Sequence, residues 1–274
     1  MARSRLQPAE KLSALLAAAV FVQSAGGLFL KGLYRDNTWV VSIFRGTDWV
    51  TLLLVLPVLL VSLAGTRRGS PRARLVWLGT VGYVFYNNVY YLLCAFNRFF
   101  LIYVIIFVLA SWALAAGLMS PETRRAGGLF DRDRPRKGVV AVLLANAAIL
   151  AVMWIGQSLL FVGNGRVPQI IADSGGTTHM VAIFDLTLIV PFFILAGVWL
   201  WKGRAWGYVL SAVMLVACVF ITTVLVVTPP FQAAAGVPKA YALVPLWGLM
   251  GVSFLASAIH LFGGLKPAST PGGG

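Results

Sequence analysis

Long apolar segments recur along the whole chain and are separated by short polar stretches. A helix needs about 20 apolar residues to cross the hydrocarbon core of a bilayer, and each segment is close to that length. The eight predicted spans are 12–33, 49–65, 75–96, 99–118, 138–162, 181–201, 206–228 and 241–262. Their apolar runs are continuous rather than alternating, which is typical of helices and not of transmembrane strands. We therefore predict an all-α, polytopic transmembrane helix bundle with eight spans.

The third and fourth spans are separated only by Asn97 and Arg98. A single helix over 75–118 would be about 66 Å long at 1.5 Å per residue, whereas the hydrocarbon core is only about 30 Å thick. The chain is therefore expected to turn back at this polar pair. Residues 1–262 then form one transmembrane domain, and the Gly- and Pro-rich segment 263–274 is predicted to be a disordered tail.

The composition excludes a water-soluble domain. Hydrophobic residues make up 59% of the chain and charged residues only 11%, against about 25% charged residues in typical soluble domains. Too few polar side chains remain to cover a globular surface, so most of the surface must face lipid.

The net charge of +14 is explained by loop orientation rather than by a polyanionic partner. The predicted spans place six of the 22 basic residues on one side of the membrane, namely Lys31, Arg35, Arg45, Arg98, Arg166 and Lys239. The other 16 lie on the side of the two termini. Because cytoplasmic loops carry an excess of Lys and Arg, we predict a cell-membrane protein with both termini in the cytoplasm. These loops are expected to contact anionic lipid headgroups, and no nucleic-acid partner is predicted.

Two halves of the chain share polar and helix-breaking positions at an offset of 134 residues. The offset aligns Gln23-Ser24 with Gln157-Ser158, Pro57 with Pro191, and Arg68-Gly69 with Lys202-Gly203. Apolar bias cannot produce such matches, so the pattern favours a weak 4+4 parallel repeat about an axis along the membrane normal. The third and seventh spans share almost nothing, so a chance coincidence stays open as the alternative.

The third span carries an unusual polar load. Five of its side chains recur at spacings of 4, 3, 4 and 3 residues, which places them on one helix face: Tyr83, Asn87, Tyr90, Cys94 and Asn97. Tyr86, Asn88 and Tyr91 widen this face. Such a face is not expected to meet lipid. It either forms interhelical hydrogen bonds or lines one wall of a polar cavity.

Asp185 is the carboxylate that lies clearly inside a predicted span, roughly 6 Å from its outer end by helix rise. A charged side chain at the membrane centre costs on the order of 3 kcal/mol, so its presence needs a reason. Two interpretations stay open: a structural ion pair with Arg98 or Lys31, or a site that binds a ligand or exchanges a proton. Asp48, at the start of the second span, is predicted to cap that helix.

The predicted depths of these polar residues agree, because most of them lie in the outer half of the membrane. We therefore predict an outward-facing polar cavity walled by spans one, two, three, five and six. The candidate ligand-binding residues are Asp185, Tyr83, Asn87, Tyr90, Asn97, Arg98, Gln23 and Gln157. The outer segments 34–48 and 163–180 either connect spans or cover the mouth of this cavity.

No catalytic residue, metal or cofactor is predicted. The sequence contains none of the common nucleophile, phosphate-binding or metal-binding motifs. Its two cysteines, Cys94 and Cys218, lie far apart in apolar runs. Its two histidines, His179 and His260, are predicted on opposite sides of the membrane, so one haem cannot bridge them.

Two stretches, YNNVYYLLCAFNRFFLIYV and FDLTLIVPFFILAGVWLWKGRAWGYVL, resemble a loosely defined group of uncharacterised bacterial multi-pass membrane proteins. The resemblance covers spans two to four and six to seven. It implies a helical membrane fold, and it carries no assigned activity and no site residues.

Three functional classes remain. A small-molecule transporter or permease fits the repeat, the proline-containing spans two and six, and Asp185. A membrane sensor or assembly subunit needs only the polar face as a contact for partner helices. A membrane-embedded enzyme acting on a lipid or isoprenoid could use Asp185 with Asn and Tyr donors, although no recognised nucleophile accompanies them. The oligomeric state stays open.

Overall fold

The computed structural model describes residues 8–266, and helix accounts for 80% of the structure. No strand occurs in the described range, where Phe130 and Leu265 form an isolated antiparallel bridge. The predicted all-α class is therefore confirmed. In chain order the elements are α1 (Pro8–Phe29), α2 (Thr38–Val50), a π-helical turn (Thr51–Val55), α3 (Leu56–Arg67), α4 (Pro71–Leu93), α5 (Phe100–Leu118), α6 (Pro121–Gly128), α7 (Lys137–Asn164), α8 (Gln169–Ser174), α9 (Met180–Phe184), a second π-helical turn (Asp185–Ile189), α10 (Val190–Trp201), α11 (Ala205–Ala234) and α12 (Val244–Gly263).

Several of these elements join into longer helices. The helix α2–α3, with its π-helical turn, is continuous over 30 residues, and α9–α10 is continuous over 22 residues. Within the described chain, seven helices are long and apolar enough to cross a membrane: α1, α2–α3, α5, α7, α9–α10, α11 and α12. The chain is thus a multi-pass integral membrane protein. The helix α4 is equally long but carries the tyrosines, asparagines and arginines that lower its hydropathy, so the eighth span stays a prediction.

The second long helix begins earlier than expected. The sequence predicted a span over 49–65 and a connecting or interfacial segment over 34–48, but the helix already starts at Thr38. The reason is local, because the Asn37 side chain accepts a hydrogen bond from the Val40 N–H at 3.0 Å and caps the first turn. The short α8 lies beside this cap, where Asn37 Nδ2 donates to the Asp173 carbonyl at 2.8 Å.

The start of the predicted disordered tail is ordered. The Lys266 N–H donates to the Leu129 carbonyl at 3.1 Å, and the Asp131 N–H donates to the Gly264 carbonyl at 2.8 Å. Arg72 Nη2 adds a bond of 3.0 Å to the Leu265 carbonyl. Backbone pairing with the segment after α6 therefore holds residues 263–266. Residues 267–274 lie outside the described range, and so do the first seven residues of the chain.

The helices α4 and α11 pack against each other at the centre of the bundle. The close approach requires Gly79, because a Cβ there would lie 2.9 Å from the Val213 carbonyl oxygen and 2.7 Å from a Val216 methyl group. On one side, α4 also contacts α3 and α5, and α1 packs on α2–α3 and α5. On the other side, α11 also contacts α10 and α12, and α7 packs on both of these.

Each π-helical turn has a proline as its physical cause. Pro57 and Pro191 lack an N–H, so neither can donate to the carbonyl four residues before it. The ladder widens just ahead of each proline. The Leu56 N–H donates to the Thr51 carbonyl, and the Val190 N–H donates to the Asp185 carbonyl. Single π-helical turns of this kind are frequent at functional sites.

The two π-helical turns stand 134 residues apart, as do the starts of α4 and α11. The turn that follows each proline-containing helix also matches. Gly69 and Gly203 have φ of 81° and 67°, in the left-handed region that favours glycine. The next residues, Ser70 and Arg204, donate to the Gly65 and Trp199 carbonyls at 3.0 Å in both cases. The backbone geometry thus repeats at the offset that the sequence pattern gave.

Candidate functional site

Asp185 lies in the bundle interior at the first position of the second π-helical turn, and only 6% of its surface is exposed. Tyr86 of α4 donates to its Oδ1 at 2.6 Å, and Trp154 of α7 donates from Nε1 to its Oδ2 at 2.8 Å. The Tyr90 hydroxyl donates to the Tyr86 hydroxyl at 2.7 Å. We call Asp185, Tyr86, Tyr90 and Trp154 the Asp185 cluster. It joins three helices through one carboxylate.

His179 and Gln157 lie beside the Asp185 cluster. The His179 ring meets the Trp154 indole edge-on at a centroid distance of 4.7 Å, and its Nε2 lies 3.4 Å from Gln157 Oε1. The other ring nitrogen, Nδ1, accepts from the Ala182 N–H at 3.2 Å and caps α9. Burial lowers the pKa of His179, which favours the neutral ring that this cap requires.

Asp48 forms a second buried carboxylate site. The Tyr34 hydroxyl donates to its Oδ2 at 2.5 Å, and the Tyr91 hydroxyl donates to its Oδ1 at 3.0 Å. We call these three residues the Asp48 cluster. Burial, and next the charge of Asp48, raise the pKa of Tyr34, which keeps its hydroxyl protonated as a donor. The predicted capping role of Asp48 is wrong, because this residue lies inside α2 and Asn37 caps the helix.

Neither carboxylate has a cation beside it in the described chain, whose two ion pairs are Arg74–Glu10 and Lys266–Asp131, both at 4.0 Å. The sequence left open an ion pair between Asp185 and Arg98 or Lys31. That pair does not form, because both basic side chains are exposed in turns between helices. Both buried carboxylates therefore receive hydrogen bonds from neutral donors alone.

A small polar cavity lies between α1, the first π-helical turn, α4 and α5. Its volume is about 10 Å³, and we call it the α4 cavity. It is lined by Val20, Gln23, Thr51, Tyr83, Val84, Asn87, Asn88 and Ile106. This volume corresponds to about one water molecule. The cavity differs from the predicted outward-facing one, since helices α7 and α9–α10 do not line it and no organic solute would fit.

Three lining residues keep a buried oxygen without a hydrogen-bond partner in residues 8–266: Gln23 Oε1, Tyr83 Oη and Asn88 Oδ1. The Asn88 amide is oriented by its other end, since Nδ2 donates to the Tyr103 carbonyl at 2.7 Å. The Tyr83 hydroxyl lies beside Thr51 without an aligned hydrogen bond. Buried polar atoms are rarely left without a partner, so the α4 cavity has an unmet demand for a donor or a cation.

The predicted site residues divide into three groups. Asp185 and Tyr90 belong to the Asp185 cluster, and Gln157 lies beside it. The α4 cavity takes Tyr83, Asn87 and Gln23. Asn97 and Arg98 join neither group, because α4 ends at Leu93 and Cys94 is already extended. The Asn97 side chain instead shapes the turn, accepting from the Phe99 N–H at 2.9 Å.

Sequence reasoning missed Trp154 and Tyr34 as partners of the two carboxylates. A tryptophan inside an apolar span looks like a core residue, and a tyrosine in a short connection carries no periodic signal. Tyr86 and Tyr91 were noticed as part of the polar face but were not given a role. The available signal for Tyr86 was its position one helical turn before Tyr90.

In the described part of the chain, no group of three or more His, Cys, Asp or Glu side chains could hold a metal ion. Comparison with protein-family models, curated proteins and solved structures finds no match to this chain. The resemblance to bacterial multi-pass proteins therefore stays an expectation, and the functional argument depends on the geometry of these clusters in a multi-pass membrane protein.

Proposed function

We propose that this membrane protein moves a small solute across the bilayer together with protons, and that Asp185 carries the proton. The observation behind the proposal is a buried carboxylate inside an apolar helix with only neutral hydrogen-bond donors around it. An uncompensated charge at such a place is costly, and uptake of a proton removes that cost. Carboxylates held in this way are typical of proton relays in pumps and transporters.

A hydrogen-bonded route leads to the carboxyl group. Tyr90 is half-buried, its hydroxyl donates to the Tyr86 hydroxyl, and the Tyr86 hydroxyl donates to Asp185. Each hydroxyl can release one proton while it accepts another. The chain Tyr90–Tyr86–Asp185 therefore supplies a relay between a partly exposed position on α4 and the buried carboxylate.

The helices that carry the two carboxylates contain a weak point beside each of them. Asp185 opens the second π-helical turn, and Asp48 lies three residues before the first one. Proline-broken helices that change shape around a central site are a common transporter design. In the proposal, α2–α3 and α9–α10 bend at these turns, and the conformation described above is a closed one, with the solute space collapsed to the α4 cavity.

A 4+4 parallel repeat would supply the two moving halves, and the matching π-helical turns support that part of the proposal. So does the contact between Gly79 and Val213, which are partners at the same offset of 134 residues. Equivalent residues of two related units meet where a two-fold axis passes between them. Parallel repeats about an axis along the membrane normal occur in several transporter folds.

The proposal is tested in proteoliposomes that enclose a pH-sensitive dye. Amino acids, sugars, nucleosides and organic cations are added outside in turn. At least one class is expected to change the internal pH faster than in protein-free vesicles. Asp185→Asn should reduce this rate about tenfold or more, whereas Asp133→Asn, at an exposed loop carboxylate, should leave it unchanged. Equal rates for wild type and Asp185→Asn would contradict the proposal.

A role as an assembly subunit is the second candidate, and the filled interior favours it. The α4 cavity has room for about one water molecule, and the Tyr–Asp bonds tie α4 to three other elements. Such a subunit would co-purify with one partner at fixed stoichiometry in mild detergent. In vesicles it would give no solute-dependent pH change.

A further inference from the structure

We propose that the α4 cavity is a binding site for one monovalent cation of the size of sodium. The three unpartnered buried atoms that line it are all oxygens, from Gln23, Tyr83 and Asn88. Two of them are amide oxygens, which only accept hydrogen bonds or coordinate cations. The cavity therefore asks for a positively charged or hydrogen-donating occupant rather than for an anion or an apolar group.

The donor set suits a hard cation of single charge. Five lining residues offer a neutral side-chain oxygen, and they come from three different elements: Gln23 from α1, Thr51 from the first π-helical turn, and Tyr83, Asn87 and Asn88 from α4. Hard cations prefer oxygen ligands, and divalent ions in proteins usually take carboxylates among them. No carboxylate lines the α4 cavity in the described chain, which favours a monovalent ion.

The size of the cavity restricts the occupant further. A volume of about 10 Å³ holds about one water-sized particle. Val20, Val84 and Ile106 close the remaining wall with apolar groups. The ion would therefore lose its hydration shell on entry and take the side-chain oxygens in its place.

Asp48 supplies the balancing charge. It lies three residues before Thr51 in the same helix, about 4.5 Å along the axis. Its two oxygens accept from Tyr34 and Tyr91, so the carboxylate lies next to the cavity without lining it. Buried charges are normally compensated, and no basic side chain does so in the described range. A cation in the α4 cavity compensates Asp48, whereas a water molecule would not.

This inference does not rest on the proposed transport. The α4 cavity shares no residue with the Asp185 cluster, and cation binding is measured at equilibrium in the absence of any gradient. Failure of cation binding would leave the vesicle experiment with Asp185 unaffected, and failure of transport would leave the binding experiment unaffected.

The test measures binding of radioactive sodium to the purified full chain in detergent, with choline chloride keeping the ionic strength constant. Thermal unfolding in sodium chloride and in choline chloride is the second measurement. Two variants remove single oxygens from different helices, Tyr83→Phe and Gln23→Met. Tyr208→Phe is the matched control, because its hydroxyl is also buried and unpartnered in the described structure but it packs on Phe130, away from the α4 cavity.

Saturable binding and a higher midpoint of unfolding in sodium chloride are expected for the wild type and for Tyr208→Phe. Loss of one oxygen ligand should weaken sodium binding about tenfold in each cavity variant. If one of them does not fold, the other decides the question. Absence of saturable binding, or equal binding by the cavity variants and the control, would overturn the proposal and leave a water molecule as the occupant.

Discussion

The individual carboxylates are enclosed by close contacts that leave no space for extra atoms. A Cβ added to Gly27 would lie 2.8 Å from Asp48 Cγ and would also collide with the Tyr34 hydroxyl. The glycine thus allows α1 to approach the hydrogen bond between Tyr34 and Asp48. This contact gives Gly27 a structural role that composition alone does not reveal.

Gly27→Ala is therefore expected to lower the free energy of unfolding by about 1–3 kcal/mol, the usual cost of overpacking. Gly156→Ala, inside α7, is the matched control, since a Cβ there meets no atom within 4 Å in the described structure. The control should be neutral or stabilising by up to about 1 kcal/mol, because alanine favours helix. Thermal unfolding in detergent measures both. Equal effects of the two substitutions would show that the Asp48 cluster is not closely packed.

Residue spacing predicted part of the candidate site and could not predict the rest. A helical period places Tyr83, Asn87 and Tyr90 near one another because their separation is local. The bonds from Tyr86 and Trp154 to Asp185 join residues 99 and 31 positions apart, and no local pattern encodes such contacts. The α4–α5 turn was misjudged for the opposite reason, since Cys94 continues the helical spacing while the backbone has already become extended.

At the scale of single elements, α9 depends on an unusual cap. His179 Nδ1 accepts the Ala182 N–H, which is possible only when that nitrogen carries no proton. Burial lowers the pKa of His179 below its ordinary value of 6.5. The capping contribution is therefore complete above pH 6.5, and it is lost as the pH falls through the lowered pKa.

Hydrogen exchange of the amides in α9 tests this pH dependence. After correction for intrinsic rates, exchange should be faster at about pH 5.5 than at about pH 7.5, on either side of the usual histidine pKa. His179→Asn keeps a capping oxygen but cannot titrate in this range, so the difference should disappear. The same difference in the variant would assign the pH response to another group.

At the scale of the whole molecule, the sequence predicted all eight long helices but placed several of their ends wrongly. The apolar pattern detects the part of a helix that faces lipid or core. It does not detect polar extensions, which explains why α2–α3 begins at Thr38 and why α11 continues to Ala234. In α11 the paired Pro229 and Pro230 lie inside the helix, where proline normally indicates an end.

The orientation of the molecule follows from its basic residues and depends on α4 crossing the membrane. In a variant without Cys94 and Cys218, single cysteines at Arg68, Arg98 and Arg166 should separate into two groups in intact cells. An impermeant maleimide is expected to label positions 98 and 166, and to label position 68 only after the cells are opened. Labelling of positions 68 and 98 from the same side would show that α4 does not span and would reverse the predicted topology.

The central claim is that Asp185 takes up and releases a proton within the bundle. Infrared difference spectra of the protein in lipid, recorded between alkaline and acidic conditions, measure this through the carboxylic-acid C=O stretching band. A reversible band is expected in the wild type and in Asp133→Asn, and its Asp185 component should be missing in Asp185→Asn. A spectrum of Asp185→Asn identical to that of the wild type would contradict the claim.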